Sequence, residues 1–115
     1  MYEFVIKNGN IIDGTGGAAY KADVAITDGK IARIGHIPER AAHTVIEAEG
    51  RAVTPGFIDI HRHGDVAAFW DNFGQLELSQ GLTTVINGNC GMSAAPVDKG
   101  NKGLLNYLRP VIGDI

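Results

Sequence analysis

Two histidines one residue apart, His61 and His63, and a single cysteine, Cys90, are the side chains of this 115-residue chain best suited to chemistry. Each follows an apolar run. Phe57-Ile58-Asp59-Ile60 leads into His61-Arg62-His63, and Leu82-Thr83-Thr84-Val85-Ile86-Asn87 leads into Gly88-Asn89-Cys90-Gly91. Side chains on a regular strand alternate between faces, so the spacing predicts His61 and His63 on one side, above Phe57 and Asp59, with Arg62 opposite. Neutral imidazole and thiolate together suit zinc, with bonds of about 2.0 Å to nitrogen and about 2.3 Å to sulfur. Plainer explanations exist for each. An isolated H-x-H also occurs as surface or core histidines, and a lone cysteine among apolar neighbours commonly packs rather than ligates. Asp59 can hydrogen-bond within a strand-end turn, and Trp70 and Phe73 suit a core.

The elements that would hold these residues fall into two styles. Up to Thr54 the chain reads as short strands and turns. Tyr2–Lys7 alternates as a strand, Asn8-Gly9 predicts a turn, and Asn10–Ile12 begins a return. Asp28-Gly29 predicts a hairpin between strands at Ala22–Thr27 and Lys30–Ile34. Two further strands, Val45–Ala48 and Arg51–Thr54, flank Glu49-Gly50, and the whole reads as a small antiparallel sheet or half-sandwich. His36 and His43 read as solvated residues of the connecting segment. Beyond Pro55-Gly56 the pattern changes. Phe57–Ile60 suits a strand buried on both faces, and Val66, Phe69, Trp70 and Phe73 have helical spacing. Leu76–Gln80 predicts a short helix stopped by Gly81, Leu82–Asn87 a strand, and Asn101–Arg109 a helix ended by Pro110. This alternation predicts a parallel α/β arrangement, whose strand C-termini are where sites assemble.

Composition excludes several classes. Hydrophobic content of 44% and charged content of 20% fit a globular protein. A net charge of -3 without a Lys/Arg run gives no footprint for nucleic acid or an anionic membrane. No stretch approaches the roughly 20 apolar residues of a membrane span, and the N-terminus lacks a secretory pattern. A single cysteine precludes an internal disulfide. A cytoplasmic address is expected.

The segment Pro55-Gly56-Phe57-Ile58-Asp59-Ile60-His61-Arg62-His63 resembles the first barrel strand of the amidohydrolase superfamily, with its P-G-x-I-D-x-H-x-H motif. The segment from Gln80 to Pro96 is similar to the Q-G-V-T-T-V-x-x-G-N-C-G-x-S-x-A-P stretch of the N-acyl-D-amino-acid deacylases (D-aminoacylases). The resemblance covers nearly the whole chain. It implies a partial β-sandwich domain over residues 1–54, followed over 55–115 by the first two βα units of a metal-dependent (β/α)8 barrel. It implies hydrolysis of an N-acyl-D-amino acid to a carboxylate and a free D-amino acid, with zinc at one or two sites. His61, His63 and Cys90 are then metal ligands, and Asp59, Asp65 and Asn89 are neighbours of the metal or substrate.

The implied general-base aspartate has no counterpart in the chain and is expected beyond residue 115, since a (β/α)8 barrel takes about 250 residues. Relatives often carry Asp-Asp after H-x-H, where this chain has Gly64-Asp65. An N-terminal fragment, inactive alone, is therefore expected, completed by a missing C-terminal part or by self-association. The alternatives are a cyclic amidase of the hydantoinase or dihydroorotase kind and a non-catalytic self-associating module. Cys90 argues against the former, whose members rely on a lysine at the bridging position.

Overall fold

The computed structural model describes residues 1–65, 67, 71, 73–93, 98, 100 and 102–112. It divides into two compact units, Met1–Pro55 and Gly56–Ile115.

The first unit is one mixed sheet. Strand β1 (Tyr2–Ile11) lies at its centre, with β2 (Tyr20–Thr27) and β3 (Lys30–Gly35) on one side and β4 (Ala42–Glu47) and β5 (Ala52–Val53) on the other. The β2–β3 hairpin turns where the sequence predicts, with Asp28 at φ 52° and Gly29 at φ 67°. Positive φ at both central positions matches the twist of the flanking strands.

Asn8-Gly9 is no turn. β1 runs straight through it, and the chain absorbs the irregularity as a bulge: three steps on β1 from Ile6 to Gly9 face two on β2 from Val24 to Ala22. Asn8 takes φ 58°, and its N–H donates to Asp23 Oδ1 at 2.9 Å. A side-chain acceptor on the neighbouring strand thus takes the donor that the ladder would otherwise hold. Nor is the sheet wholly antiparallel, because β4 and β5 both run parallel to β1. The segment after β3 crosses to the far edge of the sheet through a 3-10 turn at Glu39–Ala41, and a crossover of that kind delivers a parallel strand. Glu49-Gly50 is accordingly a jog between two strands on the same edge of β1, with Arg51 N–H donating to Ala48 O at 2.9 Å. His43 lies within β4 rather than in the connection.

Ile37, carried by the crossover, is buried against Val5 and Ala25, with Tyr2, Ala41 and Ala42 around them. Ile37 and Val5 each contribute about 1.5–3 kcal/mol on burial. Next to this core is a buried ion pair. Lys7 Nζ lies 2.7 Å from Asp23 Oδ2, and the two residues are 7% and 4% exposed.

The second unit pairs β6 (Phe57–Arg62) parallel to β7 (Leu82–Asn87), joined through a segment containing helix α1 (Gln75–Ser79), and ends in α2 (Lys102–Ile112). Gly81 stops α1 as expected: its φ is +80° and its N–H donates to Leu78 O at 2.9 Å. Pro110, expected to end the last helix, lies inside α2. Proline removes one N–H and crowds the turn before it, which two further helical residues tolerate. The helical spacing of Val66, Phe69 and Trp70 lies outside the described residues.

β6 is not buried on both faces. Phe57, Ile58 and Ile60 are 58%, 62% and 54% exposed. Their alternation puts apolar side chains on both faces of a strand that has a single described neighbour. The β6–β7 pairing itself is tight. A Cβ on Gly56 would overlap the Thr83 side chain and stand 2.6 Å from Thr83 Cβ, which is fixed by its backbone. Gly56→Ala is therefore expected to destabilise this unit by about 1–3 kcal/mol, read as a fall in the denaturant midpoint at unchanged slope. An unchanged midpoint would mean that the strands separate freely.

Candidate metal centre

β6 and β7 run in parallel, so the segments that leave their C-terminal ends emerge on the same side of the sheet. One carries His63 and the other Cys90. After β7 the chain makes a tight turn closed by Gly91 N–H donating to Gly88 O at 3.0 Å, with both glycines at positive φ, 85° and 86°. L-residues reach that region at a cost, so the two glycines let the turn present Cys90.

Cys90 Sγ lies 3.4 Å from His63 Nδ1 and 3.4 Å from its Nε2. Equal distances to both ring nitrogens place the sulfur toward the face of the ring, since in the ring plane it would collide with Cε1, and out of line with either N–H or lone pair. That is a poor hydrogen bond. Two ligands of one zinc also stand about 3.5 Å apart, from bonds of about 2.0 and 2.3 Å at a tetrahedral angle. A single ring nitrogen then faces the ion and the other points away, so the imidazole must turn for His63 and Cys90 to share a metal. The imidazole–thiolate donor set fits zinc, and the two side chains are close enough to meet one ion once the ring has turned.

His61 does not join them. Among the described residues no group of three or more His, Cys, Asp and Glu side chains is placed to hold an ion. The expected shared face of His61 and His63 requires an unbroken strand, and β6 is broken there. From Asp59 to Arg62 it takes three steps against two on β7, from Val85 to Asn87, and β6 ends at Arg62. The bulge cancels the period of two on which the expectation rests. Asp59 accepts from His61 N–H at 3.0 Å, a local bond within the bulge. Asp65 accepts from Ser93 Oγ at 3.3 Å. Asn89 is exposed in the turn beside Cys90.

Three residues that the sequence did not single out as functional surround His63. Arg62 Nη2 lies 2.6 Å from Glu77 Oε1 on α1, with both side chains mostly buried. Gly64 N–H donates to Asn87 Oδ1 at 3.2 Å. The signal available beforehand was weak: Arg62 is an arginine inside an apolar strand, with one acidic residue on the short helix that follows.

A family model described as "Amidohydrolase family" matches residues 44–110. A D-aminoacylase of Alcaligenes xylosoxydans xylosoxydans is 38% identical over 87% of this chain and 21% of its own length. The solved N-acyl-D-glutamate deacylase of Bordetella bronchiseptica, complexed with zinc and a phosphonate mimic of the tetrahedral intermediate, is 43% identical. It superposes with a TM-score of 0.76 over 87% of this chain and 21% of that one. A D-aminoacylase solved to define the role of its binuclear metal center is 37% identical, with a TM-score of 0.76 over 88% of this chain and 21% of its own. The chain thus spans about a fifth of the length of the relatives it matches. Among the described residues no helix is long and apolar enough to cross a membrane.

Proposed function

The chain belongs to the amidohydrolase family, among the D-aminoacylases, and from that premise we propose that the whole protein hydrolyses N-acyl-D-amino acids to a carboxylate and a free D-amino acid. The observation that carries the reading is the approach of His63 and Cys90, at 3.4 Å, beyond the C-terminal ends of two parallel strands. Relatives described as deacylases, and a neighbour solved with zinc, support it. In this reading β6 and β7 open a (β/α)8 barrel, and the apolar side chains on both faces of β6 suit a strand meant for burial between barrel and helices. Residues 1–54 are then the start of a small sandwich domain, and residues 55–115 the start of the barrel.

His63 and Cys90 hold zinc, and His61, which stands apart from them here, joins as the third ligand from this segment when the ion binds, with one or two metal sites in all. When bound, the metal supplies a Lewis acid for the scissile amide and a route to hydroxide at neutral pH. The chain's own residues orient the donors. The Gly88–Gly91 turn presents the sulfur, and Asp59 holds the backbone at His61. Asp65 and Asn89 border the same mouth, where they can meet the polar groups of a small N-acylated substrate. No nucleic acid and no membrane is needed as partner.

Purified whole protein, loaded with zinc, should release D-amino acids from N-acetyl-D-glutamate or N-acetyl-D-methionine and leave the L-enantiomers intact. Turnover confined to hydantoins or dihydroorotate would replace this reading with ring opening, and failure on all of these would overturn it.

A further inference from the structure

His63 is bracketed by two anchored neighbours, Arg62 before it and Gly64 after it. Before it, Arg62 reaches Glu77 on α1 at 2.6 Å, with side-chain exposures of 21% and 17%. After it, the Gly64 main chain is held by Asn87, the last residue of β7, at 3.2 Å. These two anchors interlock. A Cβ built on Gly64 would stand 2.6 Å from Arg62 Nε, 3.0 Å from Nη2 and 3.1 Å from Cζ. The guanidinium therefore lies against the α-carbon of Gly64 and occupies the space of a side chain there. An arginine tip would normally swing aside, but the ion pair with Glu77 holds this one in place, mostly out of water. The guanidinium thus leaves no room for a side chain at position 64. Asn87 also stands three residues before Cys90, so the residue that holds the His63 segment begins the turn that carries the sulfur.

We propose that Arg62, Glu77 and Asn87 form a clamp that fixes the separation of His63 and Cys90, making them positioning residues for the metal ligands. The inference rests on the metal-centre reading above and goes beyond it by assigning roles to three residues that touch neither metal nor substrate. Groups that orient ligands from outside the coordination sphere typically change metal affinity by about 10–100-fold when lost.

The test is metal binding by the whole protein, measured by competition with a chromophoric chelator, together with the thiolate-to-cobalt charge-transfer band of the cobalt(II) form. Glu77→Ala and Arg62→Met should each weaken zinc by about tenfold or more and shift or broaden the cobalt band, while Glu77→Gln, which keeps a hydrogen bond, should recover part of both. Gly64→Ala should do the same damage by evicting the guanidinium. Combined with Arg62→Ala it should add almost nothing, since the room that Gly64 provides is then no longer used. Thermal melts of the metal-free forms serve as the folding control. A variant too unstable to measure leaves Glu77→Gln and the Gly64–Arg62 cycle to decide. Wild-type affinity and cobalt spectrum in Glu77→Ala and Gly64→Ala would overturn the clamp. If His63→Ala itself leaves zinc binding unchanged, the metal-centre reading fails and the clamp fails with it. If His63→Ala abolishes binding while the clamp variants bind normally, only the clamp is lost.

Discussion

Replacing His63 by alanine is expected to strip the whole protein of tightly held zinc and to lower deacylation about a thousandfold. The size follows from what the ion supplies. Stabilisation of the developing charge is worth several kcal/mol, and each 1.36 kcal/mol is a factor of ten in rate. Cys90→Ala should behave alike. Cys90→Ser should fall between, since it keeps the shape of the site but offers a hard oxygen in place of a soft sulfur. The contact of 3.4 Å between Cys90 and His63 makes this a discriminating test. If the two side chains met only as neighbours, either could be lost without changing metal content. If they share an ion, either loss should leave the protein nearly metal-free by elemental analysis after dialysis against chelator-free buffer. Stoichiometric zinc in both alanine variants would end the assignment. His61→Ala is the sharper case, because the bulge before Arg62 separates His61 from the other two. Loss of zinc there would mean that the ligand set closes around the ion.

How much of this was legible beforehand depended on the range of the interaction responsible. The Asp28-Gly29 hairpin, the stop at Gly81 and strand β7 are set by φ preferences and patterns within a few residues, and all three stand where the sequence puts them. The bulge at Lys7-Asn8 is not local. Asn-Gly ordinarily turns a chain, and here it does not, because the carboxylate of Asp23, fifteen residues away from Asn8, takes the Asn8 N–H. Likewise β4 and β5 lie parallel to β1 because a crossover carries Ile37 over Val5 and Ala25, a packing choice that no turn motif announces. At the metal centre the pairing of His63 with Cys90 was readable from two strand ends and a glycine-rich turn. The separation of His61 from them was not, since one inserted residue in β6 reverses faces without any mark in composition.

The other large effect concerns Asp23. Its Oδ2 accepts from Lys7 Nζ at 2.7 Å and from Ile37 N–H at 2.8 Å, and its Oδ1 from Asn8 N–H at 2.9 Å. Lys7 also donates to Ile37 O at 2.8 Å, so one carboxylate ties the bulge, the crossover and the buried ammonium together. Asp23→Ala leaves a buried cation without its counter-ion and two backbone donors without their acceptor, and should cost about 3–5 kcal/mol in urea unfolding. Lys7→Met should cost distinctly less, about 2 kcal/mol, because the carboxylate keeps both N–H partners and the new side chain fills the space.

The acid limb separates the two residues further. Burial pushes the Asp23 carboxyl up, but the bonds from Lys7, Asn8 and Ile37 and the Lys7 charge outweigh it and hold the group at about 2, below its ordinary 3.8. A carboxyl with a depressed folded value contributes stability that is complete above the unfolded value and vanishes as pH falls through the folded one. Wild type should therefore lose about 1–2 kcal/mol of this contribution between pH 4 and pH 2, the pair's partial access to water trimming the ideal figure. Asp23→Ala should show no such step. In Lys7→Met the step should begin at higher pH, because the partner that most favours the charged form has gone. Equal losses in the two variants, or a wild-type acid limb retained in Asp23→Ala, would place the stabilisation elsewhere. The predicted order, with the acid-side partner worth more than the basic one, follows from counting who is left without a hydrogen bond.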